Sequence, residues 1–419
     1  MPRSPAQLLA VACACLSACS PPPPHTQHTS GALPQKAYVW HHTWTPEVQA
    51  AVLSLSPSFH ELVLLAGEIK LTPQNSHHTK IHIPWPIIPT NTPLSIAIRI
   101  QSIQGPYNIQ APPFEQLHEF IRELITDISP YHHLSSIHLD FDCPASKLKD
   151  YTSWIRELKQ RLHSLPITIT ALPSWTRHRG FAALAQTADH VVLQVHGLHL
   201  PTGPDAPFTL CDPEEASRAV ESIAQLQVPF TVALPTYGYQ LLFNQAGELI
   251  DVVAEEPGTL HPDSIQIRET WTDPKTMTEL VQLWTHERPM NLHSIIWYRL
   301  PVTTDQRNWT WPTLHSVMQG IPPSPQLQPD CTAQPDGSLT VTLSNLGTAD
   351  ARDPCLITAT WTNATLLAAE CLPGFAITHR NATSIQWSRS ATEPLRPGET
   401  TTAGWITTSP ATNPRLHLQ

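Results

Sequence analysis

The stretch Ile137-His138-Leu139-Asp140-Phe141-Asp142-Cys143-Pro144 decides how this chain folds. An apolar run ends there in two carboxylates spaced two residues apart. Side chains at i and i+2 of a strand face the same side. Asp140 and Asp142 are therefore expected to enter one cavity at the C-terminal end of a strand, the end at which barrel enzymes hold their reactive groups. The period then changes. Leu148, Tyr151, Ile155, Leu158 and Leu162 recur at helical spacing, with lysines and arginines on the other face.

The same strand-then-helix unit repeats outward in both directions. Apolar segments at 37–42, 61–68, 94–101, 136–142, 167–173, 190–196, 230–235 and 294–300 make eight candidate strands. Most are apolar on both faces, as parallel strands covered by helices are. Residues 114–128 and 213–227 show further helical periodicity. The alternation predicts a (β/α)8 TIM barrel over residues 37–321. A doubly wound open sheet is the alternative, but no Gly-x-Gly-x-x-Gly follows any strand. Residues 241–270 break the rhythm, and Asn244-Gln245-Ala246-Gly247 reads as the turn of a hairpin inserted after the seventh strand. Beyond Ile321-Pro322-Pro323-Ser324-Pro325 the segments 339–344, 355–362, 384–388 and 401–406 alternate apolar and polar residues. That pattern predicts a small Ig-like β-sandwich over 326–419.

Composition narrows the partners. The net charge of −10 and the lack of a basic cluster exclude nucleic acid. Charged residues are only 14% of the chain, against roughly a quarter in average domains, and 44 prolines predict stiff loops. Met1-Pro2-Arg3, an apolar run to Leu16 and then Ser17-Ala18-Cys19 form an export signal too short to span a bilayer. Residues 1–18 are expected to be removed, and 20–36, rich in Pro, Thr and His, to act as a tether. Cys143, Cys211, Cys331, Cys355 and Cys371 remain, and the three in the C-terminal region predict one disulfide there. No cysteine or histidine cluster has metal spacing, and no cofactor is expected. Oligomeric state is not legible.

Leu16-Ser17-Ala18-Cys19 resembles a bacterial lipobox, which implies lipidation of Cys19; Ser20 after it implies sorting to the outer membrane. The stretch around Asp140 resembles the fourth-strand signature Ile-Asp-Leu-Asp-Trp-Glu-Tyr-Pro of chitinase-like (family 18) glycoside hydrolases. His138 stands for the first Asp, Asp142 for the catalytic Glu and Cys143 for Tyr. Leu234-Pro235-Thr236-Tyr237-Gly238 and Ile295-Ile296-Trp297-Tyr298 resemble that family's seventh and eighth strands. Gln194-Val195-His196-Gly197 departs from its sixth, where a Tyr and an acidic or amide neighbour usually stand, and the third-strand Ser-x-Gly-Gly is absent. Asp140-Phe141-Asp142, Tyr151 and Ile169-Thr170-Ala171-Leu172-Pro173 together resemble more closely a family of bacterial lipoproteins with glycosidase-like barrels and no assigned activity.

These resemblances imply an envelope-anchored glycoside hydrolase on an amino-sugar polymer. Asp142 would be the general acid and Asp140 would orient the substrate's acetamide. Trp297, Tyr237, Trp175, Gln194 and Glu68 are the expected sugar contacts, with Glu68 alternatively paired to Arg99. His138 is expected to face the barrel as a core residue. The alternative is an inactive barrel that binds glycan or scaffolds an envelope complex. Asp142 is one methylene shorter than Glu, and a displacement of about 1 Å can cost on the order of a hundredfold in rate.

Overall fold

The computed structural model describes residues 26–71, 76–101, 112–141, 143–163, 165–254, 266–390 and 394–419. Eight parallel strands close into a barrel: β1 (Gln35–Val39), β2 (Glu61–Leu71), β3 (Leu94–Gln101), β4 (Leu134–Phe141), β5 (Ile167–Ala171), β6 (His190–Gln194), β7 (Phe230–Pro235) and β8 (Leu292–Tyr298). Each pairs with its sequence neighbours, and pairing of β1 with both β8 and β2 completes the ring. Closure removes the sheet edges that an open sheet would expose.

Helices cover the outside. Several begin with proline in the first turn, where the missing N–H is no loss: Pro46–Leu55, Pro213–Ala224 and Pro274–His286, capped by Thr45, Asp212 and Asp273. Part of the proline excess therefore starts helices rather than stiffening loops. The alternation is incomplete at one place. Among the described residues, β2 is followed not by an α-helix but by an antiparallel strand, Ser76–Lys80, and a 3-10 turn, Trp85–Ile87.

After β7 the inserted hairpin is present and gains a third strand. Gly238–Phe243 lies between Leu249–Val253 and Gln266–Trp271. The chain before β1 runs along the opposite end of the barrel. There His28–Thr29 pairs with Arg288–Pro289, just ahead of β8.

The lower barrel interior is polar. Lys36 and Glu61 pair at 2.6 Å, Glu61 accepts from Ser95, and Ser95 meets Ser136 at 2.8 Å. Burial pushes the Glu61 carboxyl up, but the Lys36 ammonium, His138 and the hydrogen bond from Ser95 together outweigh it and the net shift is downward.

The C-terminal region forms two four-stranded antiparallel sheets around an apolar core of its own, with Val341, Leu343, Ile357, Ala359, Ile385, Trp387 and Ile406 at its centre. The expected disulfide is not formed; all five described cysteines are free thiols. Register explains this. Cys331 is opposite Val341, Val341 opposite Gly404, and Gly404 opposite Cys371. Three strand spacings, about 14 Å, separate the two thiols, and a disulfide needs Cα atoms about 4.4–6.8 Å apart. Cys355 belongs to the other sheet.

Candidate functional site

A cleft of about 910 Å3 opens at the C-terminal end of the barrel strands. Alternation along each strand decides which residues reach it. Asp140 of β4, Thr170 of β5, Val192 and Gln194 of β6, Ala233 of β7 and Tyr298 of β8 all line it. His138, two residues before Asp140, points the same way but deeper. It is buried, with its Nδ1 3.1 Å from the Tyr38 hydroxyl, and burial lowers it to about 4.

One side of the cleft carries a row of charges in register. Glu68 of β2 is paired with Arg99 of β3, and Arg99 with Asp140 of β4. The Arg99 guanidinium lies 3.6 Å from the Glu68 carboxylate, which also meets His42 at 3.2 Å. Glu68 thus takes the ion-paired role and holds two cleft-lining residues, Arg99 and His42, at the rim.

The facing wall is aromatic. Tyr298 is the hub: its ring centroid is 5.4 Å from Trp40, 5.5 Å from His196, 5.6 Å from Tyr237 and 6.1 Å from Tyr38. Tyr239 adds a further ring 5.1 Å from Tyr237, and its hydroxyl is 3.2 Å from that of Tyr237. Burial, reinforced by the nearby Asp140 carboxylate, raises both Tyr38 and Tyr298 above the usual phenol range. Both phenols keep their protons and remain donors at neutral pH. His196 is held at about 3 by burial and is neutral; its Nδ1 lies 3.2 Å from the Tyr237 hydroxyl. Gly197 follows at φ +65, where a Cβ would also approach that hydroxyl to 3.2 Å. The departure from the sixth-strand pattern therefore places an imidazole on the tyrosine wall.

A third side is built by the segment after β8. Arg299 meets His41 at 2.5 Å and Asp305 at 2.7 Å. Burial, with the Arg299 charge beside it, lowers His41 to about 3, so it accepts from the guanidinium.

The expected site residues separate into two groups. Asp140, Tyr237 and Gln194 line the cleft, and Glu68 reaches it through its partners. Trp297 and Trp175 do not. Trp297 is fully buried on the outer face of β8, its Nε1 donating to Gln35 at 2.7 Å and its ring against Trp309. Trp175 packs between Tyr151 and Phe181 under the helices. For Trp297 the alternation of β8 turns the ring away from the cavity; Trp175 lies beyond β5, in the 3-10 turn Pro173–Arg177. Asp142 and Cys19 lie outside the described residues. Sequence reading missed Tyr38, Trp40, His41, Tyr239, Tyr298 and Arg299. The available signal was phase: Tyr298, two residues beyond Ile296, alternates with Trp297.

The family described as "Domain of unknown function (DUF3142)" matches residues 93–303. No curated protein matches the sequence. Among solved structures, the spore cortex-lytic enzyme SleL of Bacillus cereus is 14% identical over 70% of this chain and 75% of its own, with a TM-score of 0.48. A chitinase from Chromobacterium violaceum ATCC 12472 is 14% identical over 69% and 98%, with a TM-score of 0.46. The GH18 chitinase ChiB of Flavobacterium johnsoniae is 13% identical over 70% and 94%, with a TM-score of 0.45.

Proposed function

We propose, from the premise that the chain belongs to the DUF3142 family, that it is an envelope-anchored glycoside hydrolase acting on an amino-sugar polymer. The observation that carries this reading is Asp140 in a strand-end cleft walled by Tyr38, Trp40, Tyr237 and Tyr298. Aromatic faces beside a carboxylate and neutral hydroxyl donors suit a sugar ring with polar substituents.

In the proposed reaction Asp142 protonates the leaving glycosidic oxygen. The substrate's own acetamide oxygen attacks the sugar carbon as that bond breaks, so the protein supplies no nucleophile. Asp140 accepts from the acetamide N–H and stabilises the positive charge that develops on the ring formed. Water then opens that ring and returns the proton balance through Asp142. The protonated phenols of Tyr38 and Tyr298, close to Asp140, are donors for the sugar's oxygens. Lipidation at Cys19 would hold the protein to the outer membrane.

The test is turnover of N-acetylchitooligosaccharides by the purified chain. Asp142→Asn and Asp140→Asn should each lower kcat by on the order of a hundredfold or more. Full activity in Asp142→Asn would reject the acid assignment. A second reading, an inactive barrel that binds glycan, is favoured by the short reach of Asp142 and by His196-Gly197 in place of the sixth-strand Tyr pair. Binding without turnover, in both the natural chain and Asp142→Glu, would select it.

A further inference from the structure

We propose that the C-terminal sandwich completes the cleft, with Arg396 acting as a positioning residue for the wall that follows β8. Arg396 sends one guanidinium N–H to the carbonyl oxygen of Asp305 and another to that of Gln306. The Asp305 side chain in turn gathers three donors: Arg299 Nη2 at 2.7 Å, the Val302 N–H at 2.8 Å and Asn308 Nδ2 at 3.0 Å. Arg299 passes the restraint to His41. His41, Arg299, Thr304 and Asp305 all face the cleft. A planar fork fixed on two successive carbonyls sets the direction of a loop as well as its distance, which a single ammonium cannot do.

A second contact from the same domain reaches the other flank. Arg352, held by Asp350 at 2.8 Å, lies 4.3 Å over the ring of Trp271. Trp271 ends the strand Gln266–Trp271 opposite Gly238. The adjacent Thr272 hydroxyl donates to the Tyr237 carbonyl at 2.6 Å. Two arginines of one domain thus hold the segments after β7 and after β8. Interfaces between domains of one chain ordinarily permit relative motion; here the fixed points are the cleft's own walls.

The experiment compares hydrogen exchange in the full chain with that in Arg396→Ala, Arg396→Lys and a control on an exposed sandwich strand, Arg380→Ala. Exchange over residues 302–309 should rise about tenfold in Arg396→Ala, while β4 to β6 and the sandwich core stay unchanged. Arg396→Lys should fall between, and Arg380→Ala should match the natural chain. Unchanged exchange over 302–309 overturns the proposal. So does an even rise across both cores, which marks general destabilisation. A second arm rests on the glycan reading: affinity for N-acetylchitotetraose should drop about tenfold in Arg396→Ala, and Arg396→Lys should recover part of it. A local exchange change in a protein that binds no oligosaccharide in any form supports the brace and removes the glycan reading instead.

Discussion

Tyr298 and Trp297 are neighbours on β8 with opposite fates, and the difference makes a test. Tyr298→Phe removes one hydroxyl from the cleft wall. It should weaken N-acetylchitooligosaccharide binding by about 0.5–1.5 kcal/mol in calorimetry while leaving the unfolding midpoint in place. Trp297→Phe should do the reverse. It loses the bond to Gln35 and leaves a void near Trp309, costing about 1–3 kcal/mol in denaturant unfolding with little change in binding. The sequence could not separate the pair, because β8 is apolar on both faces and alternation without contrast does not say which face is inward. Asp140 was legible because a carboxylate at a strand end contrasts with its flanks. Two buried and two half-buried histidines give a second expectation. His41, His190 and His196 are lowered from 6.5 to about 3, and His138 to about 4, in each case chiefly by burial. Between those values and 6.5 the unfolded chain binds more protons than the folded one, so stability must rise with pH across that window. The contribution is fully present above pH 6.5 and is lost as pH falls toward 3. The thermal midpoint should drop steadily below pH 6.5; a flat profile from 6.5 to 4 would contradict the neutral imidazoles.

Strands and helices with strong periodicity were legible as elements. All eight barrel strands stand where the apolar segments lie, and the helix Leu148–Leu162 follows the periodic residues. What escaped was the irregular part. The strand Gln266–Trp271 exposes half of its residues and buries neither face, so it carries no hydrophobic alternation to read. The helix expected after β2 is replaced by the strand Ser76–Lys80, which pairs with the long end of β2 instead of crossing the barrel. The inserted sheet is vulnerable at one position. A Cβ on Gly238 would strike the carbonyl oxygen of Thr270 and crowd the ring of its register partner Trp271 at 3.2 Å. Gly238→Ala should therefore part the strands Gly238–Phe243 and Gln266–Trp271 at the end nearest Tyr237. The expected cost is about 1–3 kcal/mol, accompanied by weaker oligosaccharide binding. An unchanged melting curve and affinity would show that the sheet does not shape the cleft.

At the scale of the whole molecule, barrel and sandwich have separate apolar cores but not independent surfaces. The proline-rich joint is bonded rather than loose: the Ser324 carbonyl accepts from the Thr348 and Ala349 amides, and Thr313 donates to the Thr348 carbonyl at 2.7 Å. A chain ending at Gly320 should keep a cooperative unfolding transition, because the barrel core is complete without the sandwich. It should also bind N-acetylchitotetraose less tightly than the full chain, because the segments after β7 and β8 lose Arg352 and Arg396. Aggregation of that shortened chain would show that the barrel needs the sandwich to fold. That a sheet domain follows the barrel was legible from the change of period, whereas the contacts between the two depend on side chains far apart in sequence. The short strand His28–Thr29 has a consequence of another kind. It leaves the barrel at the end where the strands begin, opposite the cleft. If Cys19 carries the proposed lipid, six residues lie between it and Thr26, a contour of about 25 Å at most. The protein would then stand on its closed base like a cup on a table, mouth outward. Its reach would extend to polymers lying beyond the leaflet that holds it, not to those pressed against that leaflet.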